Sequence, residues 1–113
     1  MKNLSDVARK YSEEIGHART SLARGDYPAC FTHLERAHVL GQRSTVRHTY
    51  AHWLMLRAGL QQRDFTEVLG QVPRMLASIV FSRIWVPRGN TGRARVSAMK
   101  PMAIPGDLRH LDL

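Results

Sequence analysis

The sequence predicts an all-α protein of four to five helices, an antiparallel bundle or stacked helical hairpins, with an irregular C-terminal tail packed on them. Three observations predict it. Apolar residues recur at spacings of three and four from Leu4 to Val80, the period of one helical face. Turn and capping residues interrupt that period at Gly25 and Asp26, at Gly41 and Ser44, and at Asp64. From Val86 onward Pro87, Gly89, Gly92, Pro101, Pro105 and Gly106 leave no room for a long helix, although apolar residues continue.

Leu4, Ala8, Tyr11, Ile15, Ala18 and Leu22 make one stripe on a first helix. Asp6 suits the positive end of its dipole, and Gly25 ends it as a left-handed cap. Asp26 caps a second helix, where Pro28 is tolerated because a first-turn amide has no helical partner. Phe31, Leu34, Glu35 and His38 share one face of it, Cys30, Leu34, Ala37 and Gly41 the next, and Gly41 is the stop. Ser44 or Thr45 caps a third helix that runs to about Gln62. Val46, Tyr50, Trp53 and Leu54 lie on one of its faces, with His48, His52, Met55, Leu56 and Gly59 beside them. Asp64 and Glu67 make a capping-box-like start for a fourth helix, on which Phe65, Val68, Leu69 and Val72 are expected to face inward. Pro73 lacks an amide donor and crowds the preceding turn, so a break or kink is expected there. Met75, Leu76, Ile79, Val80 and Arg83 would follow as a short further segment. Residues 1–113 are expected to form one domain, helical over about 4–84, with a non-helical basic tail over about 86–113. Val96, Met99, Met102, Ile104 and Leu108 equip that tail to pack back on the helices.

Composition narrows the class. Apolar residues, 43% of the chain, are too frequent and too regularly placed for disorder. Cys30 is the lone cysteine, which excludes a disulfide-stapled scaffold. The first residues run into charge without an apolar stretch, so no signal peptide is expected. The longest apolar run, near residues 75–81, is too short to span a bilayer. A cytoplasmic location is the expectation. The net charge is +8, and the excess lies after residue 42, where eleven Lys and Arg face four acids. Such a surface attracts anions: acidic protein partners, nucleic acid or anionic lipid. No compact basic run or nucleic-acid motif accompanies it, which argues against nucleic acid.

The turn Gly25-Asp26-Tyr27, followed by Cys30, Leu34 and Ala37, resembles the turn and second helix of a tetratricopeptide repeat. Leu22 and Gly25 return 34 residues later as Leu56 and Gly59, the period of that repeat, while Asp26-Tyr27 returns 38 residues later as Asp64-Phe65. The offsets differ by one helical turn. The chain holds at most two copies where a solenoid usually needs three. Helical-hairpin geometry follows; a repeat array does not.

Six histidines are present, five of them within residues 17–52. His48 and His52, four apart, project from one face of a helix. Glu35 and His38, three apart, form the Glu-x-x-His unit that carboxylate-bridged metal bundles use. Folding the helices antiparallel sets His38 level with His48, Leu34 with about His52, and His17 with Leu34. His17, Glu35, His38, His48 and His52 therefore share one slab and form the candidate metal set, suited to zinc, iron or copper rather than calcium or magnesium. The competing reading is a buried structural His/Glu network. Cys30 reads as a small core hydrophobe, and His33 and His110 as surface residues.

A second constellation, Asn90, Thr91, Arg93 and Arg95 in a Gly-rich turn, has the composition of an anion-binding loop. It lacks the Lys-Ser/Thr of a phosphate loop and follows no strand. No nucleophile elbow, no paired catalytic acids and no His-Glu-x-x-His motif occur. A binding protein rather than an enzyme is expected. Its function is then transition-metal or metal-cofactor binding, or, as the alternative, a tetratricopeptide-like protein-interaction module. Basic nucleic-acid binding comes third.

The stretch from His33 to Gln42 (HLERAHVLGQ), then His52-Trp53-Leu54-Met55-Leu56-Arg57, Trp85-Val86-Pro87 with Gly89-Asn90-Thr91-Gly92, and Pro101-Met102-Ala103-Ile104-Pro105 resemble a family of small bacterial proteins classed as a domain of unknown function. The resemblance covers nearly the whole chain. It implies that the tail belongs to the domain, assigns no activity, and tilts the reading toward metal homeostasis or resistance. Relatives carry Gly-Gly-Ala-Asn-Val where this chain has Gly92-Arg93-Ala94-Arg95-Val96, so the two arginines are not a family feature.

Overall fold

The structure, a computed structural model, describes residues 2–82, 84–111 and 113. Arg83, expected on the last helical segment, lies outside them. The fold is all-α: α1 (Lys2–Ala23), α2 (Tyr27–Gly41), α3 (Thr45–Gln61) and α4 (Phe65–Phe81), with a 3-10 turn at Gly106–Leu108 and no strand among the described residues. Each helix packs on the next, α1 on α2, α2 on α3 and α3 on α4, so the helices form a row in chain order. No helix among the described residues is long and apolar enough to cross a membrane.

The turns form where the capping residues stand. Asp26 accepts from the Ala29 amide at 3.2 Å and starts α2, with Pro28 in its first turn. Ser44 caps α3 through the Arg47 amide. Asp64 caps α4 through the Glu67 amide at 3.2 Å. The α1–α2 and α3–α4 turns are the same structure 38 residues apart. A left-handed residue, Gly25 (φ 71°) or Arg63 (φ 58°), precedes the capping aspartate and then an aromatic. Asp26 N donates to Ser21 O, as Asp64 N does to Gly59 O, both at 2.9 Å. These are helix-ending bonds that satisfy orphan carbonyls. The 38-residue offset is thus the structural one.

The apolar core lies between α1, α2 and α3. Tyr11, Ala18 and Leu22 meet Cys30, Phe31, Leu34 and Ala37, and Leu54, Met55 and Ala58 join them. Of the apolar tail residues expected to pack back, Leu108 joins this core and Ile104 packs against it, with Leu111 and Leu113 as further members, whereas Met99 is exposed. Arg36 ties the tail down, bridging Glu14 of α1 at 2.7 Å and Asp107 at 2.6 Å. Cys30 is buried, as its place on the core stripe predicts, and burial pushes its thiol up to about 11.

α4 overturns two expectations. It runs unbroken through Pro73, whose ring sits on an exposed face. Its inward face is also not the apolar one. Phe65, Leu69 and Val72 are exposed, and Val68 is only half-buried, while Glu67, Gln71 and Ser78 are buried. The helical period is real, and the helix is turned about its axis relative to the expectation. Glu67, expected to complete a capping box, instead accepts from Arg93 Nε at 2.6 Å and from the Ala94 amide at 3.0 Å.

Candidate metal centre

Polar residues turn inward on α4 because of what α2 and α3 present to them. His38 stands in the last turn of α2; His48 and His52 are one turn apart on α3. All three are buried, and their rings meet with centroids 4.7, 4.7 and 4.9 Å apart. Their Nε2 atoms form a nearly equilateral triangle: His38 to His48 3.0 Å, His38 to His52 3.1 Å, His48 to His52 3.1 Å.

The other ring nitrogens fix the tautomers. His38 Nδ1 lies 2.7 Å from the Asn90 carbonyl oxygen, which can only accept. His48 Nδ1 lies 2.8 Å from Ser82 Oγ, whose own proton goes to the Ser78 carbonyl. His52 Nδ1 lies 2.5 Å from Gln71 Oε1; the amide group of Gln71 donates to Glu67 and to the Gly92 carbonyl, which orients its oxygen toward the ring. Each Nδ1 therefore carries a proton and donates it. Each Nε2 is left bare, and three lone pairs converge with no hydrogen between them. A cation placed among them would relieve that arrangement. A proton is a poor one, because burial first, and the neighbouring imidazoles or Arg74 next, hold the basicity of all three down. His48 falls to about 3 and His52 to about 4, with His38 well below its ordinary value. Three neutral imidazole nitrogens with hydrogen-bonded Nδ1 atoms could hold a metal ion.

The tail completes the centre. Asn90 donates from Nδ2 to Ser97 O and Lys100 O, both at 2.7 Å, and accepts from the Gly92 amide at 2.8 Å. This internal brace aims the Asn90 carbonyl at His38. Gly92 (φ 82°) lies against the His38 ring so closely that a Cβ there would come within 2.5 Å of it. A cavity of about 340 Å³ opens beside the three imidazoles, walled by Ala77, Phe81, Trp85, Val86 and Met99 and bordered by Arg74.

Of the five residues expected to share one site, the structure brings together His38, His48 and His52. His17 is exposed on α1 and stacks on His33, centroids 5.0 Å apart. α1 packs mainly on α2 and meets α3 through Tyr11, which donates to the Arg47 carbonyl at 2.8 Å, so a shared level does not become a shared site. Glu35 turns to Arg93, 3.6 Å away, and burial raises its carboxyl above the ordinary range against the pull of that guanidinium. The loop expected to bind an anion does not present its groups to one. Arg93 is paired with Glu67 and lies over the Phe31 ring at 3.9 Å, and Arg95 is paired with Asp64 at 3.0 Å. Asn90 is committed to its brace, and Thr91 Oγ1 is buried. His33, expected at the surface, is half-buried and 2.7 Å from Glu14.

Gln71, Ser82 and the carbonyl of Asn90, which hold the rings, escaped the sequence reading. A signal for the first two exists: Glu67, Gln71, Ser78 and Ser82 recur at helical spacing as a polar stripe on an otherwise apolar helix.

Residues 5–111, from the first turns of α1 to the end of the tail, match the model of a protein family of unknown function, DUF3703. This chain belongs to DUF3703. The matched span includes all three histidines and the whole of the Asn90 brace. No curated protein and no solved structure matches the chain.

Proposed function

We propose that this protein binds a transition-metal ion through His38, His48 and His52 and serves in metal homeostasis or resistance. The observation that carries the reading is the convergence of three Nε2 atoms 3.0–3.1 Å apart in a buried site. With imidazole–metal bonds of about 2.0–2.1 Å, His38, His48 and His52 would hold an ion through their Nε2 atoms and would leave it room for a further ligand. Closed structural sites use four protein ligands; a three-histidine site exchanges its fourth ligand. The apolar cavity against the imidazoles gives such a ligand a dry place to sit. The donor set is all nitrogen, since Glu35 is turned away, which favours zinc or copper over iron sites built with a carboxylate.

Elemental analysis of the purified, untagged protein tests this directly. It is expected to return about one equivalent of zinc, copper or iron, and none in the His38→Ala/His52→Ala variant, whose helical circular dichroism should persist. An absence of metal in both, with no thermal stabilisation on adding the ions, would leave the histidines as buried polar residues and sink the reading.

A further inference from the structure

We propose that the outer face of α4 is the seam of a homodimer. Phe65, Leu69, Val72, Leu76 and Ile79 stand along it at spacings of four, three, four and three, with Val80 beside them. All six are between 48% and 74% exposed. Alternating steps of four and three are the spacing of a stripe that packs along a second helix. Pro73 lies on this side too and does not interrupt the helix.

The identity of the occupant follows from charge and area. α4 carries two charged residues, and neither is on this face: Glu67 is buried, and Arg74 turns to the carbonyls of Gly70, Ala94 and Val96. Thr66, Val68 and Met75, which flank the stripe, are uncharged. A helix that lies on lipid carries Lys and Arg along the polar side that meets headgroups; here the polar side is buried against α3. A partner selected by charge would find nothing to read. A second copy finds a stripe that a two-fold axis sets against itself with no charge buried, even though the chain is +8. The six side chains expose roughly 600 Å², near the upper end for the largest apolar patch of a monomer. That approaches the ~800 Å² that each partner contributes to a standard interface. Arg74, Ala77, Ser78 and Phe81, which border the cavity, lie on the other side of the helix, so the seam leaves the histidine centre open. The inference does not depend on metal.

Sedimentation equilibrium of the full chain, metal-free and at about 100 μM, reads the result. The expected mass is twice 12.9 kDa. Leu69→Glu/Leu76→Glu is expected to weaken association at least about 100-fold, to a monomer with unchanged helical circular dichroism. Leu69→Gln/Leu76→Gln, milder at exposed positions, is expected to weaken it in the same direction. Val46→Glu, at an exposed apolar position on α3, should leave the dimer intact. A monomeric wild-type protein, or Leu69 and Leu76 variants as dimeric as wild type, would overturn the proposal. So would a monomer that floats with vesicles of phosphatidylcholine and phosphatidylglycerol until Leu69 and Leu76 are changed, which would assign the stripe to a lipid surface.

Discussion

The α1–α2 end of the row and the α3–α4 end bury opposite kinds of face. On α1 and α2 the apolar stripes are inside, and Leu34 and Ala37 have no exposed surface. On α4 the inside is Glu67, Gln71 and Ser78, and the large apolar residues look out. The difference teaches that a helix turns to where its groups find partners, not simply to where its oil is hidden. Three buried imidazoles on α2 and α3 need acceptors for their Nδ1 protons, and an unpaired buried donor costs about 1–3 kcal/mol. Gln71 and Ser82 supply two of those acceptors. Keeping the apolar stripe outside forgoes several kcal/mol in a monomer, at roughly 1.5–3 kcal/mol for each fully buried large side chain. A seam between two copies restores it.

Four substitutions sharpen the contrast. The largest effect belongs to the apolar end. Leu34→Ala is expected to cost about 3 kcal/mol in denaturant unfolding, within the usual 2–5 kcal/mol for a closed core, while the folded fraction keeps its metal affinity. At the polar end the order reverses. Gln71→Leu is expected to weaken metal binding about tenfold, or ~1.4 kcal/mol, by competition titration. Its thermal stability without metal should change less than that of Leu34→Ala. If Gln71→Leu bound metal like wild type, the hydrogen bond to His52 would not be orienting the ring. The smallest effect compares the two matching turns. Arg63 holds the left-handed conformation that Gly25 holds in the first turn. Arg63→Gly is expected to raise stability by a few tenths to about 1 kcal/mol, and Gly25→Arg to lower it by about as much; equal stability in all three proteins would remove strain from that turn.

Much of this was legible in the sequence, and most of the part that was not has one cause. Helix boundaries follow from local chemistry, so Asp26, Ser44 and Asp64 mark them correctly. The height of a residue along the row follows from turn lengths and the rise per residue, so His38 could be matched with His48, and Leu34, one turn away, with about His52. What periodicity does not contain is the rotation of one helix against another. His17 and Glu35 have suitable heights and face elsewhere; α4 has two clean faces, and the apolar one was assigned to the inside. The histidines themselves held the clue, because three buried rings require polar neighbours.

The Asn90 brace has a consequence for the order of events during synthesis. His38 and His52 leave the ribosome long before Ser97 and Lys100, whose carbonyls hold Asn90 in place. A nascent chain thus carries all three imidazoles while lacking the group that orients the first of them. If the centre holds metal as proposed, capture of an ion with full affinity waits until Ser97 and Lys100 have been made.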